Sequence, residues 1–197
     1  MKLFQVSVTR RRPLAFTLIR LLAVILLSQS VWSQNVAAQQ SKRTLEIKIP
    51  KHVPLEVKLK KDSEDKALDL NNKDWLEDIK VEVTNTSEKP IYFLSLWLLL
   101  TDVRNEVGGP ILFPMMYGRS EFTEQDVRPL PDDVPIAAKA TRVFAVEKGN
   151  NLEWQTWRVK NNQNEPLTLE LVLNYLSFGD GTGFVTYVGH PIVNKKP

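Results

Sequence analysis

The stretch "IYFLSLWLLLT", from Ile91 to Thr101, decides the fold of this chain. Its apolar residues fall on both alternating faces, whereas a strand with one face in water alternates apolar with polar residues. A turn-forming sequence, "TSEKP", comes directly before it. We therefore predict a central β-strand at this position, covered on both sides.

Other alternating segments flank the central strand and predict further, half-buried strands. They are "TLEIKIP", "PLEVKLKK" and "DIKVEVTN" before it, and "AKATRVFAVEK", "LTLELVLNYLSF" and "GFVTYVG" after it, the last as the hairpin partner of the one preceding. One short helix is expected in "NNLEWQTWRVKNN", capped by Asn150 with Glu153 three residues later. Without a βαβ order, this pattern predicts an all-β fold, an antiparallel immunoglobulin-like β-sandwich of about seven strands.

The N-terminal segment Met1 to Ala38 has the layout of a signal peptide. It contains five basic residues, no acidic ones and the apolar run Leu21 to Leu27. Cleavage after Ala38 is preferred to cleavage after Ser33, and a retained membrane anchor is the alternative. We therefore expect a signal peptide over 1–38, a polar leader over 39–43 and a β-sandwich domain over 44–197. The expected location is outside the cytoplasm, periplasmic or extracellular.

Charge and cysteine content exclude several classes of function. Loss of the five N-terminal basic residues leaves 21 basic against 23 acidic residues, so no nucleic-acid partner is expected. The chain has no cysteine, which excludes disulfides, thiol catalysis and zinc-thiolate sites. No cofactor is predicted, and membrane contact is expected only if the N-terminal segment is not cleaved.

The glycine-rich stretch "FGDGTGF", Phe178 to Phe184, is interpreted as a structural turn made by Gly179, Asp180, Gly181, Thr182 and Gly183. The glycines supply positive-φ positions, and the Asp and Thr side chains can bond the exposed backbone. One carboxylate is too few for a calcium loop, and a phosphate cradle would need a lysine and a following helix. No metal site is predicted.

"FGDGT" resembles the WDFGDG signature of the PKD-type immunoglobulin-like domains, which are extracellular β-sandwich modules. Leu176 and Ser177 stand where that signature has Trp and Asp. The layout of the chain also resembles a recurrent kind of exported bacterial protein of unknown function, with an "N-x-S-x-K-P-I" turn before a long apolar strand and a terminal aromatic-x-D-G-T segment. Here these are the turn Asn85 to Ile91 and the segment Phe178 to Thr182. The resemblance implies the fold and no activity.

Two aromatic features are candidates for binding sites. Trp97 lies where immunoglobulin-like sandwiches bury a tryptophan, so core packing is expected. The segment Pro110 to Phe122 lies in the Gly- and Pro-rich region Asp102 to Pro135, which is otherwise expected to be irregular. Its candidate binding residues are Phe113, Met115, Met116, Tyr117, Arg119 and Phe122, residue types common in contact surfaces. An edge strand with its own core face is the preferred alternative.

Catalytic patterns are scarce. Ser177, Asp180 and His190 would form a triad only by chance within one hairpin, and no nucleophile elbow accompanies them. The Asn85-Thr86-Ser87 glycosylation pattern is interpreted as part of a turn. The expected function is a non-enzymatic exported binding module of the bacterial envelope that recognises a protein or envelope component. The alternative is an envelope hydrolase that acts on glycan or peptide through a carboxylate pair.

Overall fold

The computed structural model describes residues 42–124 and 126–194, so the predicted signal peptide lies outside the described residues. Residues Ser41–Pro197 form one compact unit that is mostly β-structure. Its strands are β1 (Thr44–Lys48), β2 (Leu55–Leu59), β3 (Lys80–Asn85), β4 (Phe93–Arg104), β5 (Pro110–Tyr117), β6 (Thr141–Ala145), β7 (Thr168–Ser177), β8 (Gly183–Val185) and β9 (His190–Ile192). Its helices are α1 (Glu64–Leu68), α2 (Trp75–Asp78), a 3-10 turn (Ser120–Thr123) and α3 (Asn150–Lys160).

The large sheet is built around β4, as its sequence predicts. β5 pairs with one side of β4 and β7 with the other. Beyond β7 lie β1, along its first half, and β8, along its second half, with β9 outermost. The even-numbered leucines of β4, Leu94 to Leu100, are fully buried. Strand β4 is therefore central, and its inner face forms the middle of the core.

The small sheet has the order β2-β3-β6 and is antiparallel throughout. Its inner residues Val81, Val83 and Phe144 belong to the same buried cluster as the leucines of β4. Helices α1 and α2 add the fully buried Ala67, Trp75 and Leu76 to this cluster. The two sheets thus share one hydrophobic core, and the all-β prediction is confirmed.

The fully antiparallel arrangement expected from the sequence is wrong for one pair. β1 runs parallel to β7, with Thr44 opposite Thr168 and Lys48 opposite Val172. The alternation of apolar residues predicts which face of β1 is buried, but it is the same for either strand direction. The chain between β1 and β7 is long enough to reach either orientation, so only tertiary packing selects the parallel one.

The helix prediction is confirmed for α3 and incomplete elsewhere. α3 begins at Asn150 behind Gly149, whose φ is 100°, and no side chain caps it, so the predicted Asn150 cap is wrong. Helices α1 and α2, of five and four residues, lie in a charged segment too short to show helical periodicity. Among the described residues, no helix is long and apolar enough to span a membrane.

Arg43, which its sequence placed in the polar leader, belongs to the folded domain. Its side chain is fully buried, stacks 4.4 Å above the Trp75 ring and pairs with Glu165 at 3.2 Å. Glu165 also accepts hydrogen bonds from the Trp75 indole at 3.1 Å and pairs with Arg158 at 3.1 Å. A buried charge is tolerated because it is paired in this way.

Proline blunts two outer strands of the large sheet. Strand β5 contains Pro110 and Pro114, and β9 contains Pro191. Proline has no N–H to donate, so it weakens pairing of an added strand along these edges.

The region from Asp102 to Pro135, expected to be irregular, contains the complete eight-residue strand β5.

Candidate functional site

The outer face of the large sheet, opposite the shared core, carries a concave site that we call the outer groove. Its volume is about 610 Å³. This is within the range of typical small-molecule sites, roughly 300 to 1,000 Å³. The lining residues are Lys48, Trp97, Leu99, Pro110, Leu112, Glu170, Val172, Leu173, Asn174, Thr186 and Tyr187. Most of these side chains are apolar, and the polar ones come from β1, β7 and the turn after β8.

The floor of the outer groove is made by side chains paired across strands. Trp97 of β4 lies opposite Val172 of β7, and Leu99 lies opposite Leu112 of β5. These four residues share one face because directly paired residues in an antiparallel sheet point the same way. Leu112 is 42 % exposed although it is a large apolar residue on a sheet face. The floor is therefore an accessible apolar surface.

The prediction that Trp97 packs in the core is wrong. Trp97 is half-buried and lies on the face of β4 opposite Leu96 and Leu98, which are fully buried. An apolar residue on the second face of a strand has the same sequence pattern whether that face is covered by protein or opens into a groove. The tryptophan thus contributes to the candidate site instead of the shared core.

One wall of the outer groove is the turn between β8 and β9. Thr186 has φ of 69°, a left-handed conformation that is strained for a β-branched residue. Its hydroxyl is shielded from solvent and has no hydrogen-bond partner within the structure. Tyr187, the next residue, is 68 % exposed. A strained turn that presents an exposed aromatic ring beside an unpaired hydroxyl is typical of a site that contacts a ligand.

The groove has a charged end where β1 meets β7. Lys48 Nζ donates to Glu170 Oε1 at 2.7 Å and lies 3.2 Å from Glu46 Oε2. Hydrogen bonds to Glu170 and to Glu46 raise the pKa of Lys48 above its ordinary value. Two carboxylates and one ammonium group therefore meet at this end of the groove, with a formal net charge of one negative.

Among the described residues, four carboxyl groups have a displaced pKa, and the direction of the displacement bears on the hydrolase alternative. The carboxyl groups with a displaced pKa, Asp62, Asp65, Asp133 and Asp180, are all shifted downward. A glycosidase acid needs the opposite shift, so that it can donate a proton near neutral pH. Within residues 42–124 and 126–194, no three His, Asp or Glu side chains are grouped for a metal ion.

The segment Pro110 to Phe122, the candidate partner surface, has three of its six candidate binding residues buried. Phe113, Met115 and Phe122 are at most 7 % exposed and pack in the interior. This matches the alternative of an edge strand with its own core face. Buried side chains offer no contact surface, because a partner cannot reach them.

The remaining three candidate residues of that segment are also placed by the structure. The Tyr117 hydroxyl donates a hydrogen bond to the Val134 carbonyl. Arg119 forms a bidentate ion pair with Asp133, in which Nε donates to Oδ1 at 2.7 Å and Nη2 donates to Oδ2 at 2.8 Å. Only Met116, 60 % exposed, is free of such an engagement. A contact role for this segment stays a prediction, and it would rest chiefly on Met116.

The glycine-rich stretch has the geometry of a turn. Gly179 and Gly181 have φ of 71° and 83°, and the Thr182 N–H donates to Asp180 Oδ1 at 2.9 Å. Gly183 does not have a positive φ, contrary to expectation; it begins β8, where an added Cβ would lie 2.0 Å from the Leu176 carbonyl oxygen. The glycine is needed there for close approach of two strands.

This turn contacts the other motif that the sequence singled out. Lys89, in the turn before β4, donates to Asp180 Oδ2 at 2.7 Å and to Thr182 Oγ1 at 3.3 Å. Burial acts to raise the pKa of Asp180, but hydrogen bonds from Lys89 and Thr182 together hold it below its ordinary value. The two turns thus form one structural unit at the end of the large sheet.

Asn85 is the buried centre of the turn before β4. It is fully buried, and its amide donates to the carbonyls of Lys89, Ile136 and Ala137 at 2.8, 3.1 and 3.1 Å. Its side-chain oxygen accepts from the N–H of Ser87 at 3.0 Å. A residue held in this way cannot carry a glycan, so the glycosylation pattern is structural.

A second, smaller cleft lies between β5 and α3, with a volume of about 390 Å³. Trp154 and Trp157 of α3 stack there with ring centroids 5.8 Å apart. Pro110 and Leu112 line both this cleft and the outer groove. The beginning of β5 is therefore a thin apolar wall between two concave surfaces.

Sequence reasoning missed most residues of the outer groove. The sequence places Leu99 in the strand predicted to be covered on both sides and Val172 in a flanking strand. It places Leu112 inside the segment Pro110 to Phe122, but not among its candidate binding residues, and Tyr187 in a hairpin. One feature of the sequence could have indicated the groove: a single predicted helix is too small to cover the second apolar face of a sheet.

No protein-family model matches this chain, and neither a curated protein nor a solved structure shows a significant match to it.

Proposed function

We propose that this protein is an exported, non-enzymatic binding module of the bacterial envelope, and that the outer groove is its binding site. Export is supported by the signal-peptide layout of Met1 to Ala38, with cleavage after Ala38. An immunoglobulin-like sandwich is the architecture we propose, supported by two sheets that share one core. The groove is the observation that carries the binding role.

The groove differs from ordinary surface in the amount of apolar side chain it leaves uncovered in one place. Trp97, Leu99, Leu112 and Tyr187 converge on a single concavity of about 610 Å³. Exposed single apolar residues are common on soluble proteins, whereas a concave cluster of them marks binding sites. Exposure of such an apolar surface to water is unfavourable. A ligand with an apolar body would cover the surface and so gain free energy from removing it from water.

The test is titration with the neutral apolar dye Nile red, whose emission rises when it leaves water. Leu112→Glu introduces a charge into the floor of the groove and is expected to weaken binding at least about tenfold, because a buried charge is costly. Met116→Glu is the matched control: it lies on the same strand and the same face, and it does not line the groove.

The variants distinguish the outcomes. Wild-type binding that Leu112→Glu abolishes, and that both Met116→Glu and a third variant, Trp157→Ala in the second cleft, retain, supports the groove as the site, because Trp157 lines only the second cleft. Equal loss in both glutamate variants, loss in Trp157→Ala, or no binding by the wild type, would contradict the proposal. Circular dichroism melts of both glutamate variants establish that the fold is intact, which is expected because both positions are exposed.

A further inference from the structure

Building on the proposed function, we propose that the ligand of the outer groove is an amphiphile with a neutral or cationic head group. Its hydrocarbon or aromatic body would lie along Trp97, Leu99 and Leu112. Its head would lie at the end where Lys48, Glu170 and Asn174 line the groove. The inference names both parts of the ligand from the chemistry of the two ends.

The body must be mainly apolar because the floor offers few hydrogen bonds: among its side chains only the indole N–H of Trp97 can donate, and none accepts. The residues that form it are aliphatic or present a flat aromatic ring, and they come from paired positions of three adjacent strands, β5, β4 and β7. A polar body would give up its bonds to water and find few replacements, at a cost that opposes binding. A hydrocarbon chain instead gains free energy in proportion to the area it buries.

The head is selected by charge. Lys48 Nζ forms ion pairs with both Glu170 Oε1 and Glu46 Oε2, so two carboxylates flank one ammonium group. An anionic head would meet a net negative charge there, whereas a cationic head is attracted and a neutral one is unaffected. The side chain of Glu170 is only 23 % exposed, so solvent screens it less than it would a fully exposed group.

The hydrogen-bonding groups at this end favour a head that donates. The Asn174 amide donates to Ser95 Oγ at 3.1 Å, which leaves its carbonyl oxygen as an acceptor. Thr186 lines the groove, and its shielded hydroxyl has no hydrogen-bond partner in the structure. Buried polar groups are almost always hydrogen-bonded, so an unpaired hydroxyl here is a second, independent indication of a ligand. Sugar hydroxyls or an ammonium group would satisfy these acceptors.

The experiment compares n-octyl glucoside, octylammonium and octanoate, which share one chain and differ in the head. Each displaces Nile red from the whole chain below its micelle concentration, at one ionic strength. We expect octanoate to bind about fivefold more weakly than octyl glucoside, the effect of one repelling unit charge in a partly screened site. Glu170→Gln should remove that difference.

Glu82→Gln is the matched control, because Glu82 pairs with Lys58 at 3.6 Å across two strands of the small sheet, away from the groove. It should leave the octanoate difference unchanged. If Glu170→Gln does not fold, Lys48→Met serves instead and should weaken octanoate further, since it leaves two unopposed carboxylates. Octanoate binding as tight as octyl glucoside in the wild type would overturn the inference while the groove stands. Absence of Nile red binding would overturn the proposed function itself.

Discussion

Single residues in this domain owe their roles to whether their polar groups are paired. Asn85 is fully buried with its amide and its carbonyl oxygen both bonded, and it links the turn before β4 to the chain at Ile136 and Ala137. Thr186 is the contrasting case, since its hydroxyl is shielded and unpaired. A fully bonded side chain is expected to stabilise the fold, and an unpaired one marks where a ligand can add a bond.

Asn85→Ala is expected to destabilise the domain by about 3 kcal/mol, because it leaves several buried carbonyl groups without a donor. Urea unfolding monitored by tryptophan fluorescence measures this change. Thr86→Ala, at the exposed neighbouring position, serves as the control and should change stability by no more than about 0.5 kcal/mol. Equal effects at the two positions would show that the amide of Asn85 is not a structural anchor.

Asp133 should make stability depend on pH in the acid range. Hydrogen bonds from Arg119 and from the Leu130 N–H lower the pKa of Asp133 to about 2, against about 3.9 in an unfolded chain. A depressed folded-state pKa stabilises the fold above the unfolded value, and that stabilisation is lost as pH falls through the folded value. The contribution is therefore complete above about pH 5 and disappears between about pH 4 and pH 2.

The measurement is the difference in Tm between wild type and Asp133→Asn from about pH 7 to pH 2. We expect a constant difference near neutral pH that closes in the acid range. Asp132→Asn, at the exposed neighbouring position, should show no such closing. A difference that is unchanged down to about pH 2 would mean that the Arg119 pair does not depend on the charge of Asp133.

At the scale of elements, periodicity predicts α3 and seven of the nine described strands, all except β5 and β9, because each shows an alternation of two or a helical spacing over enough residues. The parallel direction of β1 and the helices α1 and α2 were beyond reach, since direction leaves no trace in alternation and four or five residues carry no period. The candidate site was hidden for a related reason. Trp97 is visible in the sequence as an apolar residue on the second face of β4. The run of apolar residues does not show whether that face is covered by protein or open to solvent.

The pairing of β7 with β8 requires glycine at position 183, because the two backbones are too close there for a Cβ. An added Cβ at Gly183 would lie 2.0 Å from the Leu176 carbonyl oxygen, which is backbone and cannot rotate away. Gly183→Ala should therefore destabilise the domain by at least about 2 kcal/mol, the cost of forcing atoms into a packed region. Thermal melts measure this loss.

Gly109→Ala is the matched control, because its added Cβ would meet only the flexible Asn105 side chain, at 3.4 Å. It is expected to change stability by no more than about 1 kcal/mol. If Gly183→Ala melts like the wild type, the hairpin can shift to make room, and the turn that carries Tyr187 is less firmly placed than the structure indicates.

At the scale of the whole molecule, the two sheets bury one shared core and leave the outer face of the larger sheet with an apolar groove. The inner face explains stability, because the leucines of β4 pack against the small sheet. The outer face supports the proposed binding role, because Trp97, Leu99 and Leu112 remain accessible beside a charged end. The division between a buried face and an open one is the central claim about how this fold produces function.

Methyl-detected NMR of the domain titrated with octyl glucoside tests that claim most directly. The account predicts that the methyl signals of Leu99, Leu112 and Val172 shift together and saturate, while those of Leu55 and Val57 in the small sheet do not move. Contradiction would be a saturating shift centred on the small sheet or on the turn Asn85 to Ile91, with the groove methyl groups unchanged.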